Sequence, residues 1–116
     1  MPRSSYNRGM DILILGKKIP VIFTKNLEVD GEASAGAYDA ETRTIEINED
    51  LRGTDRAIEI LMHESGHALL DRIGLWGRLP PDLEEVIVES FKNLYLENDF
   101  KSLSDLLNQA SLRLIT

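Results

Sequence analysis

Residues 55–73, DRAIEILMHESGHALLDRI, run unbroken from Gly53 to Gly74, with Thr54 or Asp55 placed as an N-cap. The stretch predicts a helix of about five turns. At about 100° per residue, its apolar positions (Ala57, Ile58, Ile60, Leu61, Met62, Ala68, Leu69, Leu70) surround most of the axis. That pattern predicts a central helix packed on several sides. Both histidines of the chain, His63 and His67, lie in its middle.

Upstream, DILIL (11–15) and IPVIFT (19–24) are β-branched, apolar runs separated by GKK. They read as two strands, with Pro20 weakening the second as an interior strand. In GAYDAETRTIEIN (36–48), YDAET is a turn signal and Thr44-Ile45-Glu46-Ile47 alternates with period two, so a hairpin with one buried face is expected. Downstream, GLWGRLPPD (74–82) is a broken linker carrying the lone Trp76. A second helix is expected from about Asp82 to Asn98, and a shorter amphipathic third from about Ser102 to Leu114. Strands first and helices after is an α+β pattern: a small antiparallel or mixed sheet of three to four strands, then three helices. At 116 residues the chain has the size of one domain, with residues 1–9 expected to be disordered.

The net charge of -7 argues against direct nucleic-acid binding, which needs a clustered basic face, and suits a basic protein partner better. No apolar run approaches the roughly 20 residues needed to span a bilayer, and MPRSSYNRGM lacks the apolar block of a secretory signal. A cytoplasmic location is expected. The absence of cysteine removes thiolate metal chemistry, so any transition metal must be held by imidazole and carboxylate.

Residues four apart lie one turn above each other on a helix, so His63 and His67 can direct ring nitrogens to one point. Glu64, rotated about 100° from His63, can reach beside that point but is poorly placed to ligate the same ion. Two ligands and an adjacent base are what a metal-activated water requires. Burying His, Glu and His together in a nearly apolar helix costs several kcal/mol if they lack partners. A metal is therefore favoured over a hydrogen-bonded core cluster. Gly66, costly inside a helix by about 1 kcal/mol, suggests that another backbone or side chain passes close beside the site.

Catalytic zinc takes three protein ligands and one open position, and here the third must be Asp or Glu. The next helix offers Glu84 and Glu85. Helical phase aligns Glu84 with Val88, Phe91 and Tyr95, whereas Glu85 has Glu89 one turn on, which could accept a hydrogen bond from a ligand histidine. A capping box from Asp82 to Glu85 is the structural alternative for Glu85.

LMHESGHALLDRIG followed by EEVIVESF resembles the ImmA/IrrE family of small zinc metallopeptidases, minimal gluzincins in which a His-Glu-x-Gly-His-Ala-Leu-Leu helix precedes one bearing the glutamate ligand. In that family the ligand glutamate is followed by a small or aliphatic residue at +3, Asn or Asp at +4 and Phe at +6. Counted from Glu85 these are Val88, Glu89 and Phe91, so the resemblance implies Glu85 as the ligand, with Glu89 a departure. It covers roughly residues 36–96 and matches tightly at His63, Glu64, Gly66 and His67. Asp71 stands where a histidine is often found, on the His67 face, where it could orient that ring or be an exposed helical carboxylate. Without leading helices or a DNA-binding domain, the chain looks like a stripped-down phage or mobile-element member.

The resemblance implies a zincin-like fold, zinc held by His63, His67 and Glu85, and Glu64 as general base in hydrolysis of a specific protein substrate, such as a repressor. A peptide is expected to add a strand near Gly36-Ala37-Tyr38. Tyr38, Tyr95 and Arg78 are candidate oxyanion donors, and Trp76 and Leu75 candidate pocket walls or core caps. The rival expectations are a non-catalytic protein-binding module that keeps zinc or a polar cluster for stability, and a zinc hydrolase acting on a non-peptide amide.

Overall fold

The computed structural model describes residues 10–98 and 104–108. It is α+β: a four-stranded mixed sheet and a two-stranded one, followed by helices. β1 (Asp11–Ile14) and β2 (Lys17–Thr24) form an antiparallel hairpin closed by Leu15 and Gly16, both at positive φ. β3 (Glu28–Val29) and β4 (Glu32–Ala33) make a small arm around Asp30-Gly31. β5 (Gly36–Asp39) and β6 (Thr44–Asn48) form the second hairpin of the main sheet, whose order is β1-β2-β6-β5.

β2 pairs with β6 in parallel, Val21 opposite Ile45 and Phe23 opposite Ile47, so β2 is an interior strand despite Pro20. The register explains why the proline is tolerated. The Val21 N–H bonds to Met10 O (3.0 Å), which turns the neighbouring Pro20 nitrogen away from β1. On its other side, pairing with β6 begins only at Val21. The missing N–H leaves no ladder bond unmade.

One face of this sheet carries Ile19, Val21, Ile45 and Ile47, each at most 3% exposed. Each such side chain contributes about 1.5–3 kcal/mol on burial. They pack on Ala57, Ile60 and Ala68 of α1 (Asp55–Arg72). The Thr54 hydroxyl caps α1 by accepting from the Ala57 N–H. At the other end the Gly74 N–H bonds to Asp71 O and the Leu75 N–H to Leu70 O (2.8 Å), a Schellman ending with Gly74 at φ 85°. The helix is buried toward the sheet and the next helix, but not all round: Ile58 is half exposed.

α2 (Pro81–Glu97) starts on Pro80-Pro81 with no side-chain cap. Asp82 thus lies inside the helix, and the capping-box alternative for Glu85 is not formed. α2 crosses α1 where Gly66 removes a side chain. A Cβ there would lie 3.0 and 3.2 Å from the two Val88 methyls, and Val88 is fully buried. The close neighbour expected at Gly66 is this helix. Phe91 and Tyr95, aligned with Val88 by helical phase, are more than half exposed or at half exposure. Residues 104–108 are helical, and the remainder of the expected third helix lies outside the described residues, as does 1–9. Among the described residues no helix is long and apolar enough to cross a membrane.

Candidate metal centre

The α1–α2 contact at Gly66 and Val88 brings one face of each helix together, His63 and His67 from α1 and three glutamates from α2. The His63 Nδ1 lies 2.5 Å from Glu89 Oε2, and the His67 Nδ1 lies 2.6 Å from Glu84 Oε2. Each carboxylate accepts the Nδ1 proton, which leaves the lone pair of the neutral ring on Nε2. Both Nε2 atoms point to one carboxylate: His67 Nε2 is 3.0 Å from Glu85 Oε1, and His63 Nε2 is 3.4 Å from Glu85 Oε2. His63, His67 and Glu85 together could hold a metal ion, with one ligand atom from each lying within 4.8 Å of the others.

This arrangement fits a cation on electrostatic grounds. Two nitrogen lone pairs facing a carboxylate repel it unless positive charge sits between them. Glu64, Glu84, Glu85 and Glu89 crowd the two rings, and Lys92, 3.0 Å from Glu89 Oε1, is the ammonium ion-paired to the cluster. The separations are also right. Ligands about 2.0–2.1 Å from a tetrahedral ion stand about 3.4 Å apart, close to the 3.0 and 3.4 Å found.

Glu64 lies near both imidazoles and faces β5. It is 8% exposed. Burial pushes its carboxyl above the usual range; the two imidazoles counter this, Glu85 adds to it, and the Tyr38 backbone N–H offsets part of it. A raised pKa is what a group that must accept and return a proton near neutrality needs. Beside it opens a polar cleft of about 250 Å³, lined by Ser34, Gly36, His63, Glu64, Glu89 and Lys92 among others. Glu89 itself is held below the usual carboxylate range by its bonds to Lys92 and then His63, so it stays an acceptor.

β5 can lie this close to α1 because residue 36 has no side chain. A Cβ on Gly36 would sit 2.3 Å from Ile60 Cγ2, 3.1 Å from Glu46 O and 3.5 Å from Glu64 Cγ. Gly36→Ala is therefore expected to destabilise the protein by about 1–3 kcal/mol, the range for overpacking, read as a lowered urea midpoint. The double variant Gly36→Ala/Ile60→Ala should lose less than the sum of the two single changes. Strict additivity would mean that the two side chains do not compete for the space.

Several sequence expectations are corrected here. Asp71 neither orients His67 nor lies free in solvent: it accepts from the Tyr38 hydroxyl (2.6 Å), and Glu84 takes the role at His67. Burial and then this bond push the Tyr38 phenol up, so it remains a neutral donor committed to Asp71. Trp76 stacks edge-on against Tyr38 (5.4 Å between centroids) and His67 (6.3 Å), forming a wall beside the centre. Tyr95 lines a depression on another side of α1, and Arg78 is exposed in the linker. Sequence alone presents Glu84 as a rival ligand and puts Lys92 on the face of Glu85 and Glu89 without a role; the structure pairs it with Glu89. Two histidines that each present Nε2 to one point need two acceptors for Nδ1, and that requirement would have assigned Glu84 alongside Glu89. No protein-family model, curated protein or solved structure matches the chain, so the centre stands on its own geometry.

Proposed function

We propose that this protein is a zinc-dependent metallopeptidase of the ImmA/IrrE type. His63, His67 and Glu85 would hold the ion, and Glu64 would act as general base. The observation that carries this reading is the paired orientation of the histidines. Both Nδ1 atoms are engaged by carboxylates, and both Nε2 atoms converge on Glu85. When bound, zinc supplies a Lewis acid that polarises an oxygen and makes water acidic near neutral pH.

The chain's own residues do the rest. Glu89 and Glu84 fix the tautomer and rotation of the rings. Glu64 takes a proton from water as its oxygen attacks the peptide carbonyl, and returns it to the nitrogen as the C–N bond breaks. The substrate would lie along β5. Asn48 N–H bonds to Ala35 O, so Ala37 and Asp39 turn their backbone groups to β6, and Gly36 and Tyr38 turn theirs outward. An extended peptide added at this edge passes beside Glu64. By the same resemblance the substrate is a specific protein such as a repressor; the cytoplasmic location expected from the sequence fits that reading.

Metal analysis tests the reading directly. Protein purified from zinc-replete medium and dialysed should carry about one zinc per chain. His63→Ala should lose it with the fold intact by circular dichroism, and Glu64→Gln should keep it. Absence of zinc from the wild type would overturn the proposal and leave a hydrogen-bonded cluster of the kind a binding module could use.

A further inference from the structure

β5 is an open edge of the main sheet, and its alternation turns Gly36 and Tyr38 toward α1 and Ala37 and Asp39 away from it. Gly36 permits close approach but has no side chain with which to hold it. Asp39 spends its carboxylate within the turn, accepting from the Glu41 N–H (2.9 Å). Tyr38 is thus the one residue of β5 that reaches α1 with a side chain.

That residue has three attachments. Its hydroxyl donates to Asp71 Oδ2 (2.6 Å), one turn beyond His67 on the same face of α1. Its ring meets Trp76 edge-on at 5.4 Å, and Trp76 in turn meets His67 at 6.3 Å. Its backbone N–H bonds the Glu64 carboxylate. The open edge, the base and the wall beside a ligand histidine are therefore tied together through one side chain and its backbone. Phenylalanine would serve the ring packing alone. A hydroxyl bonded to a carboxylate adds direction, and such bonds are about twice as strong as neutral ones.

We propose that Tyr38 is a positioning residue for hydrolysis. The bond from Tyr38 to Asp71 sets the separation of β5 from the C-terminal half of α1, and so where a peptide laid on β5 stands relative to Glu64. The inference rests on the metallopeptidase reading and adds to it the residue that aligns the substrate. Alignment is where a small displacement matters most, since about 1 Å can cost about 10²-fold in rate. The rings of His63 and His67 are oriented separately, by Glu89 and Glu84, so this brace acts on the reaction and not on the affinity for metal.

Tyr38→Phe keeps the ring on which Trp76 stacks and removes only the hydroxyl. In the full-length, zinc-loaded protein it should hold zinc as tightly as wild type and lower kcat by about 10–10²-fold, with KM changed far less, on the library peptide that the wild type cleaves fastest. Asp71→Leu should reproduce the loss. Asp71→Asn, whose amide oxygen can still accept from the phenol, should recover most of it. In metal-free protein, amide exchange at Ala37 and Asp39, which bond to β6, should quicken in Tyr38→Phe and Asp71→Leu. A wild-type kcat in Tyr38→Phe would overturn the proposal whatever happened to exchange or melting, because the bond would then serve only the fold. A loss in Asp71→Asn as deep as that in Asp71→Leu would overturn it too, by assigning the effect to the charge. A wild type that holds no zinc or cleaves no peptide would instead overturn the metallopeptidase reading, and the positioning role with it.

Discussion

Glu64→Gln should abolish peptide hydrolysis, leave the metal bound, and raise the melting temperature of the metal-free protein at pH 7. The three effects share one cause. Glu64 is nearly excluded from water, and burial raises its pKa in the folded chain above its value in the unfolded one. The folded state therefore binds the proton more tightly, and stability falls as pH rises from the unfolded value of about 4.5 through the folded one. Glutamine has the same shape and no charge, so the variant escapes that loss. Its advantage over wild type should vanish below about pH 4 and reach a plateau above the folded pKa. Melting curves in chelator across pH 4–8 would read this directly. Hydrolysis, followed by mass spectrometry on a peptide library, should drop by at least about 10²–10⁴, the usual contribution of a positioned base. A variant that still cleaves, or that melts below wild type at pH 7, would show that the buried carboxylate serves the fold and not a proton transfer.

The parts of the fold that were legible in the sequence are those marked by local chemistry. Thr54 and Gly74 bound α1 because a hydroxyl cap and a glycine in the left-handed region act over three or four residues. The β5–β6 hairpin follows from the alternation in Thr44–Asn48 and the turn before it. What was not legible depends on neighbours distant in the chain. Pro20 argues against an interior strand only until the offset between the β1 and β6 registers is known. Asp71 shares a helix face with His67, but its partner is Tyr38, which lies 33 residues earlier. The phase of α2 is blurred because Leu83, Val86, Leu94 and Tyr95 spread apolar side chains around the axis while only Val88 is buried. With so broad a pattern, periodicity could not separate Glu84 from Glu85. Both reach the centre, in different roles.

Those roles predict an order of effects among the three glutamates of α2. Glu85→Ala should cost the most zinc affinity, because it removes a ligand and leaves two imidazoles that cannot complete a tetrahedral site. Glu84→Ala and Glu89→Ala should each cost about 10–100-fold, because each frees one ring to rotate and to place its proton on the wrong nitrogen. They act on different histidines, so the double variant should approach the product of the two losses, about 10²–10⁴. Competition with a chromogenic chelator, on variants with wild-type circular dichroism, gives all four values. Without metal the order should disappear. Glu85 is largely exposed, and without metal its carboxylate faces the Nε2 lone pairs of two imidazoles, so removing it should leave the melting temperature of the metal-free protein unchanged or higher. A larger loss of affinity from Glu84→Ala than from Glu85→Ala would exchange the ligand and the orienting carboxylate. Equal small losses from all three would mean that the histidines hold the ion without α2, and that the packing of Val88 against Gly66 does not serve the metal.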